Sequence, residues 1–196
     1  MTACFLSHHF FNKSSHSGVY YFFGGLLMVL GGLLEFILGN TFPFVVFGSF
    51  GAFWLTFGAT LTPYFNASIA YAPDTPATSS TDPVFASTFG FFHVYMGVLC
   101  FVYMVVSLRT NIIFFLIFLT LVAAFGCLAG LFFSIGNGAA NITLQHAAGG
   151  LTFVTCLLGW YLFFVQLLAA VDFPLNLPVG DLSRFIKGAS ERSKEE

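Results

Sequence analysis

Hydrophobic side chains fall into five long runs that are separated by short polar stretches. Each run holds about 20 apolar residues, the length that an α-helix needs to cross the hydrocarbon core of a bilayer. The pattern predicts five spanning helices, at residues 19–38, 43–63, 86–108, 112–135 and 147–171. The predicted fold class is therefore all-α, a polytopic membrane helical bundle.

Composition supports the membrane class and excludes several functions. Of 196 residues, 58% are hydrophobic, 7% are charged and 29 are Phe, which leaves too little polar surface to solvate a globule. With a net charge of −2 and no basic patch, nothing indicates a nucleic-acid partner. No nucleophile–base–acid set, HExxH motif or paired carboxylates are present, so we expect no enzyme activity and no cofactor.

We interpret Cys4, His8, His9 and His16 as surface residues of a short amino-terminal segment rather than a metal site.

Glycines recur at helical spacing within the apolar runs. Gly25, Gly32 and Gly39 are seven residues apart, and Gly24 and Gly31 form a second pair with the same spacing. Gly51 with Gly58 and Gly90 with Gly97 have the same spacing, and Gly126 with Gly130 form a GxxxG pair. Membrane helices approach one another closely along such small-residue stripes. The glycines therefore predict a tightly packed bundle, without indicating what the bundle does.

Glu35 lies deep in an apolar run. Among Asp, Glu, Lys and Arg it is the only residue between Lys13 and Asp74. A carboxylate in such a segment is energetically expensive unless it faces a protein interior or a water-filled path, so by default it marks a functional site. The alternative is that Glu35 lies near a helix end and extends its carboxylate to the membrane interface.

A short polar break follows Glu35. Gly39 and Asn40 are residues that end helices, Thr41 can cap the next helix, and Pro43 suits a first helical turn because no amide hydrogen is needed there. The break predicts a helical hairpin in the membrane with polar groups at its base.

The distribution of basic residues predicts the topology. Arg109 lies in the short turn 109–111, and the tail 172–196 contains Arg184, Lys187, Arg192 and Lys194. By the positive-inside rule both regions are cytoplasmic, so the carboxyl terminus is inside. Because each span takes the chain to the opposite side of the membrane, the loops 64–85 and 136–146 are predicted outside. The amino terminus of the chain as written is predicted outside as well.

Several motifs stand in order on successive spans. They are Glu35 with Gly39-Asn40-Thr41-Phe42, Phe47-Gly-Ser49-Phe50-Gly-Ala-Phe-Trp54-Leu, His146-Ala-Ala-Gly-Gly, and Leu177-Pro-Val-Gly-Asp181-Leu-Ser-Arg184. The set resembles the acetate uptake transporter family, which includes fungal and bacterial acetate/succinate permeases and fungal ammonia-export proteins. The resemblance covers nearly everything after residue 18.

This resemblance implies a plasma-membrane transporter or channel for acetate and related short-chain monocarboxylates. It also implies proton linkage and a ring-like homo-oligomer, a hexamer. Ammonia or ammonium export is the alternative substrate class. Family members have six spans, and the Asn-Pro-Ala-Pro-Leu-Gly signature of their first span is absent from residues 1–18. A third hypothesis is therefore a truncated, transport-inactive bundle that acts only as an assembly partner.

The resemblance also assigns a narrow part of the pathway. Family members narrow their pore with an aromatic residue of the first span, a tyrosine in a Ser-Tyr-Gly motif and a leucine on the penultimate span. The second position is Phe50 here and the third aligns best with Leu121. Phe lacks the hydroxyl of Tyr, which should weaken any oriented contact to a carboxylate. Trp54 lies one helical turn beyond Phe50, where it lines the path or packs against a neighbour. The alternative for Phe50 and Leu121 is that both side chains pack in the core of the bundle.

Other polar residues supply further candidates. Asn40, Thr41 and Ser49 offer hydrogen-bonding groups near the helical break, where half-helix ends can coordinate a small ion. Capping of the hairpin is the alternative for Asn40 and Thr41. His146, at the start of the last span, and His93 are candidate proton relays. A hydrogen-bonded interfacial histidine is the alternative for both.

Overall fold

The computed structural model describes residues 17–74 and 81–182. These ranges contain five long helices, α1 (Ser17–Ile37), α2 (Thr41–Leu61), α3 (Pro83–Ser107), α4 (Ile112–Gly136) and α5 (Ile142–Ala170). All five are long and apolar enough to cross a membrane, so the predicted all-α membrane bundle is confirmed. The candidate metal ligands Cys4, His8, His9 and His16 lie outside the described residues, as does the tail beyond Leu182.

The helix bounds differ from the bounds of the predicted spans by up to five residues. Helix α5 shows the largest difference, because it begins at Ile142 whereas the apolar run begins at residue 147. Asn141 causes the early start, since its side-chain oxygen accepts hydrogen bonds from the backbone amides of Thr143 (3.1 Å) and Leu144 (3.2 Å). Hydropathy marks the apolar run, whereas caps mark the helix ends.

The described residues divide into two compact units. The amino-terminal unit contains α1, α2 and the first residues of α3, up to Ala86. The carboxyl-terminal unit contains the rest of α3 from Ser87, together with α4 and α5. The predicted pathway residues from Glu35 to Trp54 lie in the amino-terminal unit, and Leu121 and His146 lie in the carboxyl-terminal unit.

Helices α1 and α2 pack at close range through glycines. A side chain on Gly32 would place its first carbon 3.3 Å from the carbonyl oxygen of Phe44, and one on Gly51 would lie 3.1 Å from the carbonyl oxygen of Gly25. Such distances leave no room for larger residues. Gly31 and Gly39, by contrast, have no neighbour within 4 Å of that position. The predicted glycine stripe is therefore only partly used for packing within this unit.

A π-helical segment, Tyr20–Leu26, interrupts α1. Its first residue, Tyr20, stacks on the ring of Trp54 with 5.3 Å between centroids and an interplanar angle of 12°. Tyr20 also meets the ring of Phe57 edge to face at 5.5 Å. Insertions of this kind shift the face that a helix presents and are frequent at functional sites. Hydropathy alone gives no sign of it.

Aromatic rings form the core of the carboxyl-terminal unit. His93 is 1% exposed and lies among phenylalanines, with its ring stacked on Phe132 at 4.8 Å. Its Nδ1 atom is 2.8 Å from the carbonyl oxygen of Phe89, one helical turn earlier. His93 is therefore a hydrogen-bonded core residue rather than an interfacial one.

Residues 173–182, which we call the strap, run back to the turn between α3 and α4. The backbone amide of Ile112 donates a hydrogen bond to the carbonyl oxygen of Gly180 (2.8 Å), and that of Leu182 donates to the carbonyl oxygen of Thr110 (3.0 Å). These two bonds form an isolated antiparallel bridge. The strap and the 109–111 turn therefore lie at the same end of this unit, in agreement with the predicted topology.

A third contact holds the strap to α5. The hydroxyl of Tyr161 donates a hydrogen bond to the carbonyl oxygen of Pro178, at 2.7 Å. Gly180 has a φ of +67°, a conformation that favours glycine, and its backbone lies directly against the side chain of Ile112. The strap is thus fixed to two parts of its unit.

Candidate substrate pathway

The structure brings Glu35 and Asn40 together at the base of the α1–α2 hairpin. The side-chain amide of Asn40 donates a hydrogen bond to Oε2 of Glu35 at 2.7 Å, and its backbone amide donates to the Glu35 carbonyl oxygen at 2.9 Å. Between them, Gly39 reverses the chain with a φ of +83°. Glu35 is half-buried and Asn40 is exposed, so the carboxylate is held by a neutral donor at an accessible edge.

The predicted cap at Thr41 is wrong. Thr41 is the first residue of α2, and Asn40 occupies the capping position without making a side-chain cap. The side-chain nitrogen of Asn40 donates to Glu35 instead, and in this orientation its side-chain oxygen makes no cap. Thr41 is exposed, and its backbone amide donates to the carbonyl oxygen of Gly39 at 3.1 Å.

Ser49 and Phe50 are adjacent residues that lie between two and three turns into α2. The hydroxyl of Ser49 donates a hydrogen bond to the carbonyl oxygen of Val46 (2.9 Å), which is a frequent use of serine within helices. Phe50 is buried, and its ring meets that of Phe53 edge to face at 6.5 Å. These contacts agree with the packing alternative, and a role of either residue in the pathway stays a prediction.

Trp54 packs between the two helices of the amino-terminal unit. Its ring stacks on Tyr20, and Gly24 lies so close that a side chain there would start 2.6 Å from Cγ of the indole. Phe53 and Phe57 contact the same ring edge to face. Of the two interpretations of Trp54, these contacts favour packing against a neighbour.

The remaining candidates belong to the carboxyl-terminal unit. Leu121 is half-buried on α4 and shares a helix face with the buried Phe118 and Phe125, three residues before it and four after. His146 is exposed and lies in the second turn of α5 rather than opening the helix.

A contact between two threonines was missed by sequence reasoning. The hydroxyl oxygens of Thr120 on α4 and Thr155 on α5 are 2.7 Å apart, within hydrogen-bond distance. Thr120 directly precedes Leu121, the predicted constriction. A threonine within an apolar span is a signal for a contact between helices. Which threonines of two helices lie at the same depth is not visible in a sequence.

A groove with a volume of about 310 Å³ lies between α3 and α4. Apart from His93 its lining is apolar, and it consists of His93, Val94, Gly97, Val98, Phe101, Val122, Gly126 and Ala129. An apolar groove on membrane-spanning helices resembles a site for a lipid chain or another helix more than one for a carboxylate.

The chain is similar in sequence to fungal proteins. The chain is 46% identical over 174 residues to the protein alcS of Aspergillus fumigatus, which covers 86% of this chain and 64% of alcS. It is 30% identical over 140 residues to the ammonia transport outward protein 2 of Saccharomyces cerevisiae, covering 71% of this chain and 45% of that protein. The chain thus spans less than two thirds of the length of these relatives.

A solved structure shares the fold. The bacterial acetate channel SatP superimposes with a TM-score of 0.71 and 25% sequence identity, and the match covers 92% of each chain. A family model, that of the GPR1/FUN34/yaaH family, matches residues 11–184. This match spans all five helices and the strap, and it includes each motif on which the resemblance to acetate uptake transporters was based. The chain therefore belongs to the GPR1/FUN34/yaaH family.

Proposed function

We propose that this multi-pass membrane protein is a transporter or channel for acetate and related short-chain monocarboxylates. The observation that carries the proposal is the shared fold with the bacterial acetate channel over 92% of both chains, at 25% identity. An apolar constriction suits such solutes, because a small weak acid loses its water more easily than a large polyanion.

Glu35 and Asn40 are the residues that we propose for proton linkage. At about 6 Å and an effective dielectric constant near 20, an acetate anion and a carboxylate repel each other by about 3 kcal/mol, or a hundredfold in occupancy. A proton on Glu35 removes this repulsion, so acetate and the proton enter together. Asn40 keeps the carboxyl group in place in both states, since its amide donates to either form.

Phe50 in the amino-terminal unit and Leu121 in the carboxyl-terminal unit keep the roles that the family resemblance implies, as narrow positions of the pathway. Trp54 supports Phe50 from the next helical turn, and the hydroxyls of Thr41 and Ser49 supply polar groups on the same helix. His146 remains a candidate relay at the exposed start of α5. These assignments rest on motif positions and on the contacts within each unit.

The cellular setting belongs to the same proposal. We place the protein in the plasma membrane, as the family resemblance implies. The basic residues in the 109–111 turn and the tail support a cytoplasmic carboxyl terminus. Assembly into a homo-oligomer, a hexamer, follows from the family resemblance alone. Cross-linking of the protein in its native membrane measures the number of subunits.

Ammonium export is the second candidate, and a specific observation favours it. A relative at 30% identity is an ammonia transport protein, and Glu35 supplies a negative charge that would attract a cation. For a cation, the hydrogen bond from Asn40 would hold the Glu35 carboxyl group in place.

Uptake of labelled acetate and labelled methylammonium, in cells that lack their own carriers, separates the two candidates. We expect the protein to raise acetate uptake above that of cells with an empty vector, most strongly at acidic pH. Methylammonium flux without acetate flux would replace the first candidate by the second. Absence of both fluxes, with the protein present in the plasma membrane, would contradict both candidates.

A further inference from the structure

The contact between Thr120 and Thr155 joins two spanning helices next to the proposed constriction. Their hydroxyl oxygens are 2.7 Å apart, and both residues are half-buried. We propose that this hydrogen bond is a positioning contact, which holds α4 against α5 so that Leu121 favours acetate over longer short-chain monocarboxylates. The inference rests on the proposed function, which it deepens by naming what sets the size limit.

Neither threonine hydroxyl depends on the other for a hydrogen-bond partner, because each also has a backbone acceptor in its own helix. Thr120 also lies 2.9 Å from the carbonyl oxygens of Leu116 and Ile117, and Thr155 lies 2.9 Å from that of Leu151. One hydroxyl donates across the interface, while the other donates to its own helix. If either threonine loses its hydroxyl, the remaining one still has a backbone acceptor. Removing the bond therefore leaves no buried polar group unpaired.

The position of the contact makes it suited to control Leu121. Thr120 is the adjacent residue, and both side chains project from the same turn of α4. A hydrogen bond of fixed length restrains sliding and rotation of that turn relative to α5. Packed interfaces change between discrete arrangements rather than deforming continuously, so releasing the restraint shifts Leu121 as well.

Hydrogen bonds between membrane helices are weak enough to be removed without unfolding the bundle. Their average contribution corresponds to a factor of about three in an equilibrium constant. We therefore expect that the loss of this bond changes selectivity by a similar factor and leaves the protein folded.

The test compares uptake of labelled acetate with uptake of labelled butyrate, which has two further methylene groups. Thr120→Val and Thr155→Val keep the branched shape and remove the hydroxyl. Each should raise the butyrate-to-acetate ratio about threefold, and the double variant should raise it no further, because both substitutions remove the same bond. Thr120→Ser retains a hydroxyl and should keep the ratio of the unchanged protein.

Thr152→Val is the matched control. Thr152 lies on the same helix as Thr155, one turn earlier, and its hydroxyl donates to the carbonyl oxygens of Ala148 and Gly149 within that helix. Its substitution should leave the ratio unchanged. A ratio that also stays unchanged in Thr120→Val and Thr155→Val would overturn the inference, as would an equal loss of both fluxes, which indicates a merely structural contact. If the unchanged protein moves neither solute, the proposed function itself fails and the inference falls with it.

Discussion

Asn40 donates a hydrogen bond to Glu35, which places the predicted proton carrier at an accessible edge of the hairpin. We expect Glu35→Gln to retain part of the acetate uptake and to lose most of its pH dependence between pH 5 and 8. Glutamine keeps a neutral hydrogen-bonding group but cannot exchange a proton. Glu35→Ala should lower uptake further, because it also removes the partner of Asn40. Labelled-acetate uptake across this pH range is the measurement.

Asp74→Asn is the control for this prediction, since Asp74 is an exposed carboxylate in the loop between α2 and α3. It should have the pH profile of the unchanged protein. Ammonium transport predicts the reverse pattern, with Glu35→Gln sharply reducing methylammonium uptake. If Glu35→Gln has unchanged flux and pH dependence for both solutes, Glu35 is an interfacial residue without a role in transport.

Two glycines of α1 that are seven residues apart, Gly24 and Gly31, differ in their surroundings. A side chain on Gly24 would start 2.6 Å from the indole of Trp54, whereas Gly31 has no neighbour within 4 Å. Gly24→Ala should therefore destabilise the protein by about 1–3 kcal/mol through overpacking. Gly31→Ala should be neutral or stabilise it by up to about 1 kcal/mol, because alanine favours helix. Thermal unfolding in detergent measures both, and equal effects would contradict the packing of Trp54 against α1.

At this scale the sequence was informative about residue types and less so about contacts. Polarity and the GNTF break predicted that Glu35 and Asn40 belong to one hairpin. The sequence indicated Thr41 as the cap, because any of several polar residues in a break can cap a helix. The structure places Asn40 at that position, with its side chain turned towards Glu35. The contact between Thr120 and Thr155 depends on the relative height of two helices, which a local pattern does not contain.

At the scale of elements, the strap offers a direct test. Gly180→Ala should weaken its docking, because φ is +67° and the new side chain would collide with Ile112. We expect faster proteolytic cleavage within residues 173–182. Gly138→Ala is the matched control, because Gly138 also has a positive φ (+89°) but no neighbour within 4 Å. Equal cleavage rates in the two variants would argue against docking through the contact with Ile112.

The five helices themselves were predictable because each apolar run has the length of a bilayer span. Their ends were not, since Asn141 extends α5 by capping it upstream of the apolar run. The π-helical segment of α1 was also missed. It depends on how Tyr20 and Gly24 fit against α2, which is a property of two elements together.

At the scale of the whole molecule, the topology can be tested by labelling cysteines placed in two connections. Thr110→Cys lies between α3 and α4, and Ala139→Cys lies between α4 and α5. In intact cells a membrane-impermeant thiol reagent should label position 139, and position 110 only after permeabilisation. The protein without these substitutions serves as the control for its native cysteines. Labelling of both positions from the same side would mean that α4 does not cross the membrane.

The docking of the strap also bears on the order in which the molecule folds. Synthesis proceeds from the amino terminus, so the α1–α2 hairpin and its bond between Glu35 and Asn40 can form early from neighbouring residues. The turn at Thr110 and Ile112 must instead wait for partners in the strap, which are made only after α4 and α5. Contacts between residues so far apart in the chain form more slowly than local ones. We therefore expect the two units to mature at different times, with the strap docking as a late step.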